Sequence, residues 1–167
     1  MPVSAEILRT HIDYTAWASA KLVAAVATLS PEHLNHDFGT ADRSIVRTLA
    51  HVFAGDRIWL ARLTGGPPPA AGFITDADRS LEVIQRDWPV LHERWKEWAR
   101  GLSDKDTKTA ITYKDLKGNP WAQPTWQIVL HVVNHGTHHR GQVSGFMRAL
   151  GHTPPGIDLI YYYRQMG

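Results

Sequence analysis

Four of the chain's ten histidines lie in one short segment, at positions 131, 135, 138 and 139. Imidazole is the commonest protein metal ligand and the side chain that titrates closest to neutral pH. His131, His135 and His139 follow one another at four-residue intervals, which places them one turn apart on the same side of an α-helix. Two nitrogens placed in this way can bind one metal ion. The segment therefore predicts a metal site on a helix.

The apolar residues of this helix indicate which histidines point into the protein. One stripe consists of Ile128, Val132, Val143, Phe146 and Leu150. His135 and His139 lie within that stripe, whereas His131 and His138 are turned about 80–100° away and are poorer candidates. Burying a polar group without a partner is strongly unfavourable. The two imidazoles are therefore expected either to bind a metal ion or to form a hydrogen-bonded pair in the core.

Two histidines leave a metal site incomplete, because catalytic zinc sites usually take three protein ligands and leave a position for water or substrate. Other helical segments offer His11 and His51, with Asp13 and Asp56 as carboxylate alternatives. His11 lies on the apolar stripe of its helix, whereas His51 lies beside the stripe of its own. Periodicity alone therefore favours His11 over His51.

The composition excludes several classes of protein. The 167 residues are 43% hydrophobic and 20% charged, as expected for one globular domain spanning residues 1–167. The absence of cysteine excludes disulfides, cysteine-ligated zinc and a protein thiol nucleophile. There is no long apolar run or secretory signal, and a net charge of +2 without a basic stripe does not favour nucleic-acid binding. We expect a cytoplasmic protein that acts on a small molecule, with neither membrane nor nucleic acid as a partner.

Four long amphipathic helices are predicted, at about residues 5–29, 44–64, 78–100 and 125–150. Thr125 is expected to be the N-cap of the last, and Asp42 or Ser44 that of the second. Four such helices in one domain predict an all-α fold, a four-helix bundle whose core can host a metal on facing helices.

Shorter segments connect these helices. Residues 65–72 are rich in glycine and proline and are expected to form a loop. Residues 109–121 are expected to form a small hairpin or an irregular loop, and residues 156–164 a short helix or an extended arm. Exposed tyrosines at positions 161–163 and the tryptophans of the third helix would suit a homodimer interface.

Several motifs in this chain together resemble the DinB-like family of small four-helix proteins. Residues 48–59, with His51 and Asp56, and residues 134–142, with the His-Arg-Gly-Gln element, resemble its two signature stretches. Residues 14–17 resemble the first-helix signature, and residues 151–158 with Tyr163-Arg164 resemble its C-terminal ending. The first helix departs from the family by carrying Thr15 and Ser19 where asparagine is common.

The resemblance implies a metal site made by one histidine of the second helix and two of the fourth. On this chain those residues are His51, His135 and His139, with His11 kept as a possible fourth ligand. All-imidazole ligation suits zinc or nickel best, and iron or manganese are alternatives. The resemblance further implies a metal-dependent transferase that uses a low-molecular-weight thiol such as bacillithiol or mycothiol.

Other interpretations of the same residues stay open. A metal with three neutral ligands also acidifies water, which would suit a hydrolase. The metal could instead staple the second and fourth helices in a non-catalytic binding protein. The simplest alternative is a helical bundle with hydrogen-bonded core histidines and no metal.

Four residues near these histidines carry separate expectations. Gln142 or Asp56 is expected to orient a ligand imidazole, because ligand histidines usually have such a partner. Asp56 alternatively has a purely structural role. Arg140 is expected to form a surface salt bridge, and Gly141 to permit a close approach between helices.

Overall fold

The structure is a computed structural model that describes residues 3–66, 74–115 and 117–166. The described chain is mostly helical and carries one small sheet. Its helices are α1 Ala5–Val26, α2 Pro31–Asn35, α3 Ile45–Thr64, α4 Leu81–Arg100, α5 Thr125–Ala149 and α6 Leu159–Met166, and its strands are β1 Ala110–Lys114 and β2 Pro120–Pro124. The four long helices therefore lie where the hydrophobic periodicity predicts them, but the sheet makes the fold mostly helical and not purely all-α.

Two of the long helices differ at their ends from the predicted bounds. After Val26 the chain tightens, and the amide of Leu29 donates to the carbonyl of Val26 in place of an α-helical bond. Residues 77–79 form a separate short turn before α4, because the carboxylate of Asp78 is engaged by the guanidinium of Arg57 and the amide of Thr75. This anchoring shifts the start of the long helix from the predicted residue 78 to Leu81.

The helix caps follow the sequence only in part. Ser44 caps α3 by accepting a hydrogen bond from the amide of Arg47, which leaves Asp42 for another role. The prediction of Thr125 as the N-cap of α5 is wrong, because Thr125 is the first helical residue. Its amide and hydroxyl both donate to the carbonyl of Thr109, and these bonds tie the start of α5 to the chain entering β1.

The core lies among the four long helices. Helix α1 packs against α4 and α5, and α3 packs against α5 and α4, so that α5 is covered on two sides. The largest fully buried apolar side chains come from all four helices and include Leu8, Leu22, Ile45, Leu49, Ile84, Trp88, Val129, Val143 and Met147.

The small hairpin predicted between the third and fourth long helices is present. Strands β1 and β2 are antiparallel, with Ala110 opposite Pro124 and Lys114 opposite Pro120. β1 lies against α3 and β2 against α5. The ring of Tyr113 on β1 meets the edge of Trp59 on α3, with ring centroids 5.0 Å apart. The hairpin thereby covers the face on which α3 and α5 meet.

The C-terminal tail forms the short helix α6. Tyr162 packs against Tyr14 and Trp17 of α1, with ring centroids 5.9 and 5.5 Å apart. The hydroxyl of Tyr14 donates to the carbonyl of Ile157 just before α6. These contacts fasten the tail to the first helix.

The aromatic side chains expected at a homodimer interface differ in their exposure. Tyr161 and Tyr163 are about two-fifths exposed, as expected for an interface. Trp88 and Trp95 of α4 are buried in the core, whereas Trp98 of the same helix is half-buried. The homodimer stays a prediction.

The loop predicted at residues 65–72 lies outside the described residues from position 67 onward. Within residues 3–66, 74–115 and 117–166, no helix combines the length and the apolar character needed to cross a bilayer.

Candidate metal centre

Three imidazoles from two helices meet where α3 packs against α5. His51 comes from α3, and His135 and His139 come from successive turns of α5. One ring nitrogen of each lies within 4.8 Å of the others, and the Nε2 atoms of His51 and His135 are 2.9 Å apart. The structure thus brings together the three residues that the family resemblance nominates, and the group could hold a metal ion.

One pair of these nitrogens, the Nε2 atoms of His51 and His135, lies close to the spacing that a shared metal ion requires. An ion about 2.05 Å from each imidazole nitrogen, in tetrahedral geometry, separates its ligand atoms by about 3.3 Å. The Nε2 atoms of His51 and His135 would move apart by only a few tenths of an ångström to reach that spacing. The other separations among the three nitrogens reach up to 4.8 Å and would have to shorten for one ion to bind all of them.

Gln142 fixes the orientation of one imidazole. The Nδ1 atom of His139 donates to Oε1 of Gln142 over 2.7 Å, three residues further along α5. With the proton on Nδ1, the lone pair of His139 is on Nε2, which is the atom then able to bind a metal. The expectation that Gln142 positions a ligand imidazole agrees with this contact.

A carboxylate that the sequence reasoning assigned only as a possible helix cap lies beside the cluster. Oδ1 of Asp42 is 3.8 Å from Nδ1 of His51, and Oδ2 of Asp42 is 3.9 Å from Nδ1 of His139. Asp42 is therefore placed on the outer side of two imidazoles, and its charge raises the pKa of His139 against the larger effect of burial. Nothing in its spacing reveals this, since it comes from the loop before α3.

The electrostatics favour uncharged imidazoles. Burial, together with the neighbouring His139 and His51, lowers the pKa of His135 to about 3. Burial also lowers the pKa of His139, although its bond to Gln142 opposes the shift. Both rings are therefore neutral at physiological pH, which is the protonation state that metal binding requires.

Gly55 makes room for His135. It lies one turn after His51 on α3, and a Cβ atom at this position would be 3.2 Å from Cε1 of His135. A side chain there would press on the ring and displace it. The close approach of α3 to α5 at the cluster therefore depends on this glycine.

The other candidate histidines lie elsewhere. Among the described residues, His11 is not part of the three-histidine cluster. Its Nδ1 atom is 2.8 Å from the carbonyl oxygen of Ile7 on its own helix. His131 packs against Trp59, with ring centroids 5.1 Å apart, and His138 is exposed. The choice of His11 over His51 that periodicity favours is thus not the arrangement found.

Asp56 belongs to a separate buried network. Its Oδ2 atom accepts a hydrogen bond from the indole of Trp88 over 2.8 Å and lies 3.7 Å from Nε2 of His92. The Trp95 indole donates to the Asp56 backbone carbonyl. Asp56 therefore joins α3 to α4, and the structural interpretation of this residue is the one supported by its contacts. His92, a core histidine, was missed because it lies between the expected apolar positions.

Two predictions on the fourth long helix are wrong. Arg140 is 1% exposed, not a surface residue; its guanidinium donates to the hydroxyls of Ser19 and Thr137. Gly136 leaves the space for it, since a Cβ there would lie 2.8 Å from Nη1 of Arg140. A Cβ at Gly141 would meet no described atom within 4 Å, so that Gly141 does not permit a close helix contact.

Comparisons with known proteins agree with this architecture. The family model described as the DinB family matches residues 1–166. Protein DinB of Bacillus subtilis (strain 168) is 20% identical over 156 residues, covering 90% of each chain. The crystal structure of a DinB-like protein from Bacillus cereus ATCC 10987 is similar with a TM-score of 0.67 and 21% identity, over 93% of this chain and 99% of that one. The protein belongs to the DinB family.

Proposed function

We propose that the protein binds one divalent metal ion through His51, His135 and His139 and uses it to activate a thiol for transfer to an electrophile. The observation that carries the proposal is the convergence of three imidazole nitrogens from α3 and α5 within 4.8 Å. Zinc or nickel suits these ligands best, with iron or manganese as alternatives.

The ligand set determines the chemistry. Three neutral imidazoles leave the positive charge of a divalent ion uncompensated, and an ion of this kind acidifies a thiol or water that binds to it. Gln142 keeps the proton of His139 on Nδ1, and Asp42 lies beside the Nδ1 atoms of His51 and His139. The hydrogen bond to Gln142 leaves Nε2 of His139 free to bind the metal ion.

The thiol must come from a separate molecule, because the chain has no cysteine. In the proposed transfer the sulfur loses its proton to solvent and forms a bond to an electrophilic carbon. The bond from that carbon to the leaving group breaks, and the leaving group departs with the electron pair. Membership of the DinB family supports this reaction class. It also supports a single domain over residues 1–167, built as a four-helix bundle of the DinB type.

Thiol binding can be tested by calorimetry on zinc-loaded protein. N-acetylcysteine is the probe, and its S-methyl thioether is the matched control because it cannot lose a proton from sulfur. The proposal expects the thiol to bind with release of about one proton, measured in buffers of different ionisation enthalpy. The thioether should bind at least about tenfold more weakly.

Two variants separate the site from its surroundings. His135→Ala should abolish the metal-dependent binding, whereas His138→Ala, on the exposed side of the same helix, should leave it unchanged. Equal binding of thiol and thioether to zinc-loaded protein would contradict thiol activation. Full zinc loading without any thiol binding would reduce the metal to a staple between α3 and α5.

A further inference from the structure

A pocket of about 270 Å³ opens beside the three-histidine cluster, between α3, α5 and the hairpin. Gly55 and His135 line the end next to the cluster, while Arg62, Trp59 and Trp121 also line the pocket. Arg62 follows Gly55 by seven residues on α3, about 10 Å along the helix axis. The volume is at the small end of the range for ligand pockets. The pocket therefore suits a small molecule that extends from His135 to Arg62.

Arg62 presents a positive charge to this pocket, partly balanced by the nearby carboxylate of Asp115. Its guanidinium carbon lies 4.4 Å from the ring centroid of Trp59 and 4.7 Å from that of Tyr113. One nitrogen, Nη2, donates to the carbonyl of Lys114 over 2.8 Å. Among the described residues no carboxylate lies within salt-bridge distance of Arg62, although the side chain is half-buried. The stacked, oriented guanidinium keeps further N–H groups for a ligand.

Asp115 lines the same pocket, but it is occupied by its own turn. Its two oxygens accept hydrogen bonds from the amides of Lys117 and Asn119, the side chain of Asn119 and the indole of Trp121. These hydrogen bonds lower the pKa of Asp115 to about 2, and the bond from the side chain of Asn119 has the largest effect. The carboxylate thus orders the hairpin turn and fixes Trp121, and these hydrogen bonds disperse the negative charge that it presents to Arg62.

The walls beside Arg62 are aromatic and fixed. The hydroxyl of Tyr113 donates to Oε1 of Gln123 on the opposite strand over 2.6 Å. Trp121 is about half exposed, yet its indole is held by Asp115. Rings anchored by their polar ends present their faces to a flat apolar group at low cost in conformational freedom.

We infer that this pocket binds a small organic acid, with its carboxylate on Arg62, its flat apolar body against Trp59, Tyr113 and Trp121, and its other end directed at His135, the member of the histidine cluster that lines the pocket. The inference names the substrate class of the proposed thiol-transfer site and in that respect rests on the proposed function. Acid recognition itself depends only on Arg62 and the aromatic walls, and it can be measured without a metal.

The first experiment uses metal-free protein and a matched pair of probes, 4-phenylbutanoate and 4-phenylbutanamide. Both have the length and the ring expected of the ligand, and only the first has a charge. Binding is followed by tryptophan fluorescence, because Trp59 and Trp121 line the pocket. We expect the acid to bind at least about tenfold more tightly than the amide, as for a charge-assisted bidentate pair. Equal affinities would overturn the inference.

Arg62→Gln should lower the affinity for the acid to that for the amide, with the amide affinity unchanged. Arg47→Gln removes the same charge from an exposed position on α3 and should leave the preference intact. If Arg62→Gln also abolishes amide binding, the substitution has disturbed the hairpin. The preference for the acid over the amide is then measured in Arg62→Lys, which keeps the positive charge. A restored preference for the acid supports the inference, and no preference overturns it.

The second experiment separates this inference from the proposed function. Zinc-loaded protein is titrated with 4-(4-mercaptophenyl)butanoate and with 4-phenylbutanoate. Tighter binding of the thiol, with acid and amide still distinguished, supports both ideas together. If the thiol gives no gain while acid and amide are still distinguished, the acid pocket stands and thiol activation fails. If the thiol gives a gain but acid and amide do not differ, the pocket inference fails and the proposed function stands.

Discussion

His139 is the imidazole that the chain orients most directly, through the bond from its Nδ1 atom to Gln142. Because a partner of this kind sets both the ring angle and the tautomer, Gln142→Ala should lower the metal affinity about 10- to 100-fold. The measurement is a zinc competition titration with a chromophoric chelator. Gln127→Ala, an exposed substitution on the same helix, is the control and should bind zinc like the wild type.

The depressed pKa values of His135 and His139 predict how stability depends on pH. The pKa of His135 is about 3 in the folded protein, against 6.5 ordinarily. Between these values the unfolded chain binds more protons than the folded one, so that the stability of the metal-free protein should rise with pH. This contribution is fully present above about pH 6.5 and is lost as the pH falls toward 3.

Urea unfolding of metal-free protein at several pH values between about 4 and 7.5 would measure that slope. His135→Asn should flatten it, since the titrating group is removed. His138→Asn should not, because His138 is exposed. A slope that is the same in all three proteins would contradict the burial of His135 as its cause.

At the scale of the elements, α3 carries two different functions on neighbouring faces. His51 and Gly55 face α5 at the cluster, while Asp56 faces α4 and accepts the indole proton of Trp88. Asp56→Ala would leave that buried indole without an acceptor and should cost about 2–3 kcal/mol of stability. Asp56→Asn retains an acceptor and should cost less.

Metal content distinguishes this structural role from a role in the metal centre. Because the contacts of Asp56 run to α4 and not to the three histidines, a folded Asp56→Ala protein should bind metal as the wild type does. Loss of metal with retained fold would instead place Asp56 in the metal centre.

Gly55 tests how closely α3 and α5 must approach. An alanine there would bring Cβ to 3.2 Å from His135, so that Gly55→Ala should weaken metal binding. The matched control is Gly141→Ala on α5, where Cβ would meet no described atom within 4 Å. That substitution should stabilise the helix by up to about 1 kcal/mol without affecting the metal. Thermal unfolding with and without zinc measures both effects, and equal zinc affinity in the two variants would contradict the steric account.

The elements also explain what sequence periodicity could and could not predict. The pair His135 and His139 follows from spacing alone, because four residues make one helical turn. His51 could not be chosen in this way, since it is half-buried at the edge of its helix and only the family resemblance nominates it. Arg140 was misplaced because a single apolar stripe assumes one buried face, whereas α5 is covered by α1 and α3.

At the scale of the whole molecule, the long helices and the hairpin were predictable, whereas the contacts between distant elements were not. Asp42 reaches two histidines from the loop before α3, and Arg62 meets Tyr113 across a hairpin 51 residues further along the chain. Contacts of this kind depend on how elements pack and leave no periodic signal. Asp42 and Arg62 could therefore be placed near the cluster only from the structure, whereas His135 and His139 of α5 could be predicted from the sequence.

The central claim is that His51, His135 and His139 form one metal site. The most direct test is the metal content of purified, untagged protein by elemental analysis, with His139→Ala and His138→Ala beside the wild type. The account predicts about one divalent ion per chain in the wild type and in His138→Ala, and none in His139→Ala. A wild type that holds no metal after loading with zinc or nickel, or a His139→Ala protein that retains a full equivalent, would contradict it.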